Sequence, residues 1–236
     1  MRTNRHIALL LAAGKSSRMA TNRPKQYLEV DGESILLHTM RAFQRHHLIH
    51  DIYVACAHEW EVTVRDEALK GGIDKFRDTI IGGETAFCTM CNGVNDIFAR
   101  DYDPKDILLV HDAVRPLVSQ DIISRNIAVC LTHGNAITAI GSHEAFIVSK
   151  DGRTSEGFMP REGLFRAQTP HTFHLSTIRK IADSIKAQHI EHSQSLFTIA
   201  NEVGISPLHI AQGDMTNFKI TYPSDILIFQ ALKNLE

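Results

Sequence analysis

The sequence predicts an α/β fold, with a mostly parallel sheet, helices on both faces and an inserted β-arm. Apolar runs such as 7–11 and 107–110 lack the alternation of a half-exposed strand, which is typical of strands buried on both faces of a sheet. Segments of helical period alternate with these runs as far as residue 140. Such alternation indicates crossover connections, which join parallel strands and place helices on both faces.

Local signals justify the individual elements of this first part of the chain. Ser34 suits the N-cap of a helix, and Gly71 suits the end of the next one. We expect strands at 7–11, 52–57, 79–81, 107–110 and 136–140, and helices beginning at 35 and covering 59–69, 87–98 and 119–131.

Residues 142–162 break the alternation. Two short apolar stretches, 146–148 and 157–159, flank Asp151-Gly152, a dipeptide typical of tight hairpin turns. We therefore expect a single domain over 1–236 with a protruding arm at about 142–162.

The remaining elements lie beyond the arm. We expect helices at 175–187 and 195–203, and strands near 208–211 and 218–220. Pro223 suits the first turn of a last helix, because an N–H at that position would lack an intrahelical partner.

The composition excludes several classes of protein. The 25 Lys and Arg against 27 Asp and Glu give a net charge of −2, and a pI of about 6.7 argues against a general nucleic-acid binder, which needs a basic field. No apolar run approaches the roughly 18–20 residues that cross a membrane. Four cysteines without a secretory segment predict a reducing, cytoplasmic location.

The turn after the first strand carries the strongest chemical signal, because ligands of open parallel sheets bind at the carboxyl ends of strands. Ala12, Ala13 and Gly14 let the backbone approach a phosphate, and main-chain amides of such a turn form an anion-binding concavity. Arg18 and Lys25 add positive charge. These residues predict a phosphate-binding loop, with an ordinary strand-to-helix turn as the alternative.

Two better-known phosphate loops are excluded at this turn. A Walker A loop needs a glycine where Leu9 stands. The dinucleotide-binding fingerprint needs glycines where Ser16 and Met19 stand. The loop is therefore of another kind.

Two further strand ends carry candidate ligands. Asp112 follows a buried strand, where a carboxylate suits Mg²⁺ beside substrate phosphates, and Arg115 could hold a phosphate oxygen in the same cleft. A helix cap with a surface partner is the alternative for this pair. Gly82 and Gly83 permit close approach of a planar base, with a plain turn as the alternative.

Several strings, taken together, resemble one group of enzymes. They are Ala12-Ala13-Gly14, Pro24-Lys25-Gln26-Tyr27, His111-Asp112-Ala113-Val114-Arg115-Pro116, Ala167-Gln168-Thr169-Pro170 and Asn217-Phe218-Lys219-Ile220-Thr221. Along nearly its whole length the chain resembles the 2-C-methyl-D-erythritol 4-phosphate cytidylyltransferases, and the same strings occur, slightly altered, in ribitol-5-phosphate cytidylyltransferases. The resemblance implies a Rossmann-like sheet and a homodimer made by interlocking arms. It also implies a Mg²⁺-dependent reaction in which CTP and a polyol phosphate give a CDP-polyol and pyrophosphate.

The resemblance further implies roles for single residues. Arg18 and Lys25 match ligands of the triphosphate, and Asp112 matches the metal ligand. The other matches are Ala12, Ala13, Gly14, Lys15, Gly83, Glu84 and Thr89 for the nucleotide, and Arg115, Arg161 and Lys219 for the polyol phosphate. Arg161 lies at the base of the arm, and we expect it to serve the site of the partner subunit.

The chain departs from the pattern of this group at several places. Ser16 stands where this group usually has glycine, and Ala86 stands where it usually has arginine. Glu144-Ala145 replaces an Asp-Thr pair, and residues 194–196 replace a Thr-Asp-Asp/Glu string. The leading hypothesis for the acceptor is 2-C-methyl-D-erythritol 4-phosphate of isoprenoid synthesis. The second is ribitol 5-phosphate or another cell-wall or capsule polyol phosphate. A weakly active nucleotide-binding relative is a third hypothesis, which the intact charged residues disfavour.

Overall fold

The computed structural model describes residues 4–16, 19, 23–193 and 195–234. In chain order the strands are β1 (His6–Leu11), β2 (Glu29–Val30), β3 (Glu33–Ser34), β4 (Asp51–Cys56), β5 (Phe76–Ile81), β6 (Ile107–Asp112), β7 (Asn135–Gly141), β8 (Phe146–Val148), β9 (Gly157–Met159), β10 (Phe165–His174) and β11 (Ile210–Gln212). The α-helices are α1 (Ile35–Arg45), α2 (Glu61–Lys70), α3 (Ala86–Phe98), α4 (Gln120–His133), α5 (Leu175–Ala187), α6 (Leu196–Glu202) and α7 (Pro223–Lys233).

The central sheet confirms the expected α/β class. Its strands lie in the order β11-β7-β10-β6-β1-β4-β5, and β1 pairs in parallel with both β4 and β6. The pairs β4–β5 and β7–β11 are also parallel. The exception is β10, which runs antiparallel to both β6 and β7. An antiparallel strand therefore lies directly beside the strand that ends at Asp112.

Alternate residues of β1 explain why its sequence is apolar on both faces. Ala8 and Leu10 pack with helices α1, α2 and α4, whereas Ile7 and Leu9 pack with α3, α5 and α6. All four side chains are fully buried. Burial of each large apolar side chain contributes roughly 1.5–3 kcal/mol, so β1 is a rigid base for the loop that follows it.

Most element boundaries agree with the sequence to within a few residues. Ser34 caps α1, since its hydroxyl accepts a hydrogen bond from the Leu37 N–H at 3.0 Å, and Pro223 opens α7 as expected. The expected strand at 218–220 is wrong. This segment is a loop beside the end of β6, held where the Ile220 N–H donates to the Val114 carbonyl at 2.9 Å.

Two surface features bear on possible partners. The expected hairpin is present, with β8 and β9 antiparallel and Ile147 opposite Phe158. Both of these side chains are largely exposed. Within the described part of the chain, no helix combines the length and the apolar character needed to cross a membrane.

Candidate active site

A cavity of about 200 Å³ opens at the carboxyl ends of β1 and β6. Four parts of the chain enclose it: the loop after β1, the turn at Lys25–Tyr27, the start of α3, and the loop at 219–221. Its lining residues are Leu11, Ala13, Gly14, Ser16, Lys25, Gln26, Glu84, Thr85, Ala86, Thr89, Asp112, Val114, Lys219 and Thr221. We call it the first cavity.

Gln26 and Ser16 shape the loop after β1. The amide Nε2 of Gln26 donates to the carbonyls of Ala12 and Gly14, at 2.5 and 3.0 Å. Ser16 has a φ of 58°, in the left-handed region that favours glycine, and its hydroxyl accepts from the Lys25 N–H at 2.8 Å. The Ser16 side chain therefore ties the loop to the turn that carries Lys25.

Lys25 is the positive group that this turn supplies to the first cavity. Its side chain is largely buried, and Nζ donates to the Ile220 carbonyl at 2.6 Å. The hydrogen bond to this main-chain carbonyl holds the side chain in place, and the ammonium group keeps its positive charge. The amine can therefore contact an anion in the cavity while its stem stays fixed.

Asp112 lies at the centre of a charged cluster. Its Oδ2 accepts from Arg115 Nε at 2.9 Å and its Oδ1 accepts from Lys219 Nζ at 3.0 Å. Burial alone would raise the pKa of this carboxyl, but Lys219 and Arg115 outweigh it and hold the pKa well below its usual range. Asp112 is therefore ionised at neutral pH, and each oxygen retains a second lone-pair direction.

Two neighbours fix the main chain at Asp112. Its N–H donates to Thr169 Oγ1 at 3.1 Å, and Thr169 Oγ1 lies 3.0 Å from His111 Nδ1. His111 Nε2 lies 3.2 Å from the Arg115 carbonyl, which can only accept, so the ring proton is on Nε2 and the Thr169 hydroxyl donates to Nδ1. Burial lowers the pKa of His111 to about 3, which keeps the ring neutral.

The turn that follows β5 packs closely against the loop after β1. A Cβ added to Gly82 would lie 2.5 Å from the Ala13 Cβ, so only glycine fits there. Thr89 Oγ1 accepts from the Gly83 N–H at 3.0 Å and donates to the Gly83 carbonyl at 3.2 Å. Thr85 caps α3 by accepting from the Cys88 N–H. The turn from β5 into α3 is therefore fixed against the loop after β1.

A second cavity of about 190 Å³ adjoins the first and shares Asp112 and Lys219 with it. It extends between β10 and the segments that begin α3 and α6. Its lining residues are Leu11, Ala86, Phe87, Met90, Val110, Asp112, Arg115, Ala167, Gln168, Thr169, His171, Ser193, Ser195, Leu196, Phe197 and Lys219. The charged cluster thus lies at the border between two adjoining cavities.

The structure brings most of the predicted site residues together. The second cavity is lined by Arg115. The first cavity is lined by seven of the predicted residues: Ala13, Gly14, Lys25, Glu84, Thr89, Asp112 and Lys219. Ala12, Lys15 and Gly83 lie beside the first cavity without lining it; Ala12 is buried and Lys15 is exposed. Arg161 lies on the exposed arm, with its side chain 3.9 Å from Glu162. Arg18 lies outside the described residues.

Several lining residues were not singled out from the sequence. Ser16 and Gln26 belong to the loop string, and Gln26 stands inside the Pro-Lys-Gln-Tyr motif, which was a usable signal. His171 follows the Ala-Gln-Thr-Pro string at 167–170 by one residue. Ser195 lies within residues 194–196, where the chain departs from the pattern of the group, whereas Ser193 carried no signal, because its approach to β10 depends on the position of α6.

Comparison with known proteins decides the family. The model of the 2-C-methyl-D-erythritol 4-phosphate cytidylyltransferase family (IspD) matches residues 6–234. The chain belongs to this family. It is therefore a cytidylyltransferase, an enzyme of the nucleotidyltransferase class, and the cavities at the carboxyl ends of β1 and β6 are its candidate active site.

Relatives of the IspD family differ in their named acceptor. A ribitol-5-phosphate cytidylyltransferase of Lacticaseibacillus paracasei is 29% identical over 225 residues, covering 95% of this chain and 96% of the relative. A 2-C-methyl-D-erythritol 4-phosphate cytidylyltransferase of Geotalea uraniireducens is 31% identical over 228 residues, covering 96% of each. Overall sequence similarity therefore does not choose between the two acceptors.

Solved structures of IspD proteins share the fold. A 4-diphosphocytidyl-2C-methyl-D-erythritol synthase matches with a TM-score of 0.82 and 25% identity, covering 99% of this chain and 100% of that one. The Francisella tularensis 2-C-methyl-D-erythritol 4-phosphate cytidylyltransferase matches with a TM-score of 0.78 and 26% identity, covering 97% and 99%. The resemblance seen in the sequence is thereby confirmed for family and fold.

Proposed function

We propose that this chain is a magnesium-dependent enzyme that joins CTP to 2-C-methyl-D-erythritol 4-phosphate, giving the CDP-polyol and pyrophosphate. One observation carries the proposal: Gly14, Lys25, Asp112 and Lys219 line a single cavity at the carboxyl ends of β1 and β6. Loop amides and two lysines suit a triphosphate there. The second cavity, which begins at Arg115, suits the acceptor.

The reaction needs positioning and charge neutralisation more than it needs a general base. The second pKa of a phosphate monoester is about 6, so the acceptor is already largely ionised at neutral pH. An oxygen of this phosphate forms a bond to the α-phosphorus of CTP, in line with the departing group. The bond from the α-phosphorus to the oxygen bridging the α- and β-phosphates breaks, and pyrophosphate leaves with the electron pair.

Lys25 is proposed to stabilise the charge that grows in this step, and Arg18 is proposed for the same role by resemblance. A fixed ammonium group interacts more strongly with the transition state than water does, because it needs no reorganisation. Lys219 and Arg115 are proposed to hold the acceptor phosphate from the other side of Asp112, the residue to which both are hydrogen-bonded.

Asp112 fits a magnesium ion that arrives with the triphosphate. Among the described residues, no group of three or more His, Cys, Asp or Glu side chains is placed to hold a metal by itself. Mg²⁺ often binds through one or two carboxylates together with substrate phosphates, and the free lone pairs of Asp112 suit that arrangement. When bound, the ion neutralises negative charge on the phosphates.

Ribitol 5-phosphate is the second candidate acceptor, and two observations favour it. By the resemblance drawn from the sequence, Ala145 corresponds to a threonine of the methylerythritol enzymes, so a hydroxyl is missing near the base of the arm. The relatives from Lacticaseibacillus paracasei and Vibrio parahaemolyticus, 29% and 30% identical, are named for ribitol 5-phosphate.

We also propose that the arm forms a homodimer. Ile147 is 72% exposed and Phe158 is 76% exposed on the paired strands β8 and β9, and an exposed apolar patch of this kind marks a protein contact. Arg161, at the base of the arm, would then reach the site of the partner subunit. Phe158→Asp is expected to give a monomer in light-scattering chromatography, whereas Leu69→Asp, at an equally exposed site on α2, is not.

A panel of substrates tests the proposed function. Pyrophosphate release is measured with CTP, UTP or ATP and with 2-C-methyl-D-erythritol 4-phosphate, ribitol 5-phosphate or sn-glycerol 3-phosphate. We expect the fastest release with CTP and the methylerythritol compound. Faster pyrophosphate release with ribitol 5-phosphate would make ribitol 5-phosphate the acceptor. No pyrophosphate release with any combination of substrates would overturn the proposed function.

A further inference from the structure

The second cavity has a charged end and a neutral remainder. Its charged lining residues, Asp112, Arg115 and Lys219, are hydrogen-bonded to one another and so form one cluster. The other lining residues are uncharged at neutral pH and include the hydroxyls of Thr169, Ser193 and Ser195 as well as the His171 ring. A ligand with its phosphate at the cluster would extend along neutral walls that carry hydroxyl groups.

Among the lining residues of the second cavity, His171 is a buried polar side chain with a nitrogen that makes no hydrogen bond to the described residues. The residue is only 4% exposed, and its Nε2 has no hydrogen-bond partner among the described residues. Its strand, β10, is paired on both sides, with His171 opposite Val110 of β6 and Ile137 of β7. Buried nitrogens without a partner are rare in proteins, and this one is fixed beside a cavity.

The surroundings of the His171 ring decide which group can bind Nε2. Burial lowers the pKa of His171 to about 4, and the nearby Asp112 carboxylate opposes this only in part, so the ring is neutral near pH 7. A neutral imidazole carries its proton on one nitrogen and accepts through the other, so with the proton on Nδ1 the unpartnered Nε2 accepts. Nε2 is then a bare acceptor, which suits a hydroxyl donor.

Phe197 restricts where that hydroxyl can come from. Its ring lies edge-on to the His171 ring, with centroids 5.4 Å apart and an interplanar angle of 83°. The aromatic contact covers part of the His171 ring and adds apolar surface to the cavity. A flexible chain that bears both C–H and O–H groups matches this mixture of apolar and hydroxyl-bearing walls.

We propose that the second cavity takes the polyol chain of the acceptor and that His171 Nε2 accepts a hydrogen bond from one of its hydroxyls. His171 is thus a specificity-determining residue, which selects hydroxylated acceptors. This inference rests on the proposed function, because the phosphate of the acceptor must bind at Arg115 and Lys219. A site built to hydrogen-bond a substrate hydroxyl discriminates strongly against ligands that lack it.

Kinetics of His171 variants test the proposal. His171→Phe removes the acceptor nitrogen at similar size, and His171→Gln restores an acceptor oxygen. We expect His171→Phe to raise the KM of the better polyol phosphate by roughly tenfold, the value of one neutral hydrogen bond, and to leave the KM of CTP and kcat unchanged. His171→Gln is expected to recover most of the loss, which a purely structural role would not allow.

A matched control lies on the same strand. His174, the last residue of β10, donates to the Lys105 carbonyl through Nδ1, at 2.9 Å, and lines neither cavity. His174→Phe is expected to match the wild-type KM values. Should His171→Phe lower the melting temperature, His171→Met replaces it as an apolar and adaptable substitute.

The outcomes separate this inference from the proposed function. Turnover by the wild type with an unchanged acceptor KM in His171→Phe overturns the inference alone. No turnover by the wild type with any acceptor overturns the proposed function, and calorimetric titration with ribitol 5-phosphate and 2-C-methyl-D-erythritol 4-phosphate then decides the inference. Binding that His171→Phe weakens supports it, whereas equal binding, or none by the wild type, overturns it.

Discussion

Two aspartates at opposite ends of the sheet have the same kind of partners. Asp51 opens β4, and its Oδ1 accepts from Arg5 and Arg77, at 2.8 and 2.5 Å. Asp112 ends β6 and accepts from Arg115 and Lys219, at 2.9 and 3.0 Å. In both cases burial would raise the carboxyl pKa, and the two cations lower it below the ordinary value.

The difference between the two clusters is the space beside the carboxylate. The Asp51 side chain is 1% exposed and lies under a shallow surface depression. Asp112 is 18% exposed and borders two adjoining cavities at the carboxyl ends of the strands. A buried carboxylate with two cationic partners therefore identifies no function by itself; its position on the sheet and the adjoining cavities do.

Asp112→Asn is expected to give the largest effect on catalysis. The change removes the proposed metal ligand and leaves Arg115 and Lys219 without their anion, so kcat should fall about 10²–10³-fold, the usual loss for one group that stabilises transition-state charge. Pyrophosphate release at saturating CTP measures this. A variant with the wild-type kcat would contradict the assignment.

Asp51→Asn is the matched structural variant. It leaves Arg5 and Arg77 without a charged partner, and both arginines are partly exposed, so water replaces part of the interaction. We expect the free energy of unfolding in urea to fall by about 1–3 kcal/mol while kcat stays at the wild-type value. A large loss of kcat in the folded variant would erase the distinction between the two aspartates.

Thr169→Val tests how far the geometry at Asp112 depends on its neighbours. The change leaves the Asp112 N–H and His111 Nδ1 without their shared hydroxyl, at 3.1 and 3.0 Å in the structure. We expect kcat to fall roughly tenfold, the value of one hydrogen bond. Thr169→Ser keeps the hydroxyl and should stay near wild type; equal losses in both variants would assign the effect to packing instead.

The pH dependence of stability gives the smallest effect. A carboxylate whose folded pKa is lowered contributes stability that is fully present above the ordinary pKa of about 3.9 and is lost as the pH falls through the folded pKa. The difference in unfolding free energy between wild type and Asp51→Asn should therefore stay constant from about pH 7 to pH 5 and narrow below about pH 4. A difference that widens in acid would show the opposite sign of the pKa shift.

The sequence predicted the first part of the fold well because its signals are local. Apolar runs such as Ile7–Leu11 and caps such as Ser34 act over a few residues, and the structure follows them. The segment of β10 is hard to assign from the sequence, because Pro170 lies within it and proline weakens a central-strand assignment. Its antiparallel position between β6 and β7 depends on pairing over long distances along the chain.

The candidate site likewise contains residues that local sequence patterns reveal and contacts that such patterns do not reveal. Lys25 and Asp112 could be found from their strings and from their places after strands. The contact between Asp112 and Lys219 joins residues 107 positions apart, and no local pattern predicts its 3.0 Å distance. The second cavity could not be predicted from the sequence either, because it forms only when β10 and the start of α6 are in their final positions.

The most direct measurement compares two lysines that make the same local contact. Lys25 Nζ donates to the Ile220 carbonyl at 2.6 Å beside the first cavity, and Lys75 Nζ donates to the His46 carbonyl at 2.7 Å away from it. With CTP, Mg²⁺ and the preferred polyol phosphate, Lys25→Ala should release pyrophosphate about 10²–10³-fold more slowly than wild type, and Lys75→Ala at the wild-type rate. Equal rates for Lys25→Ala and wild type would contradict the account that this cavity binds and activates the nucleotide.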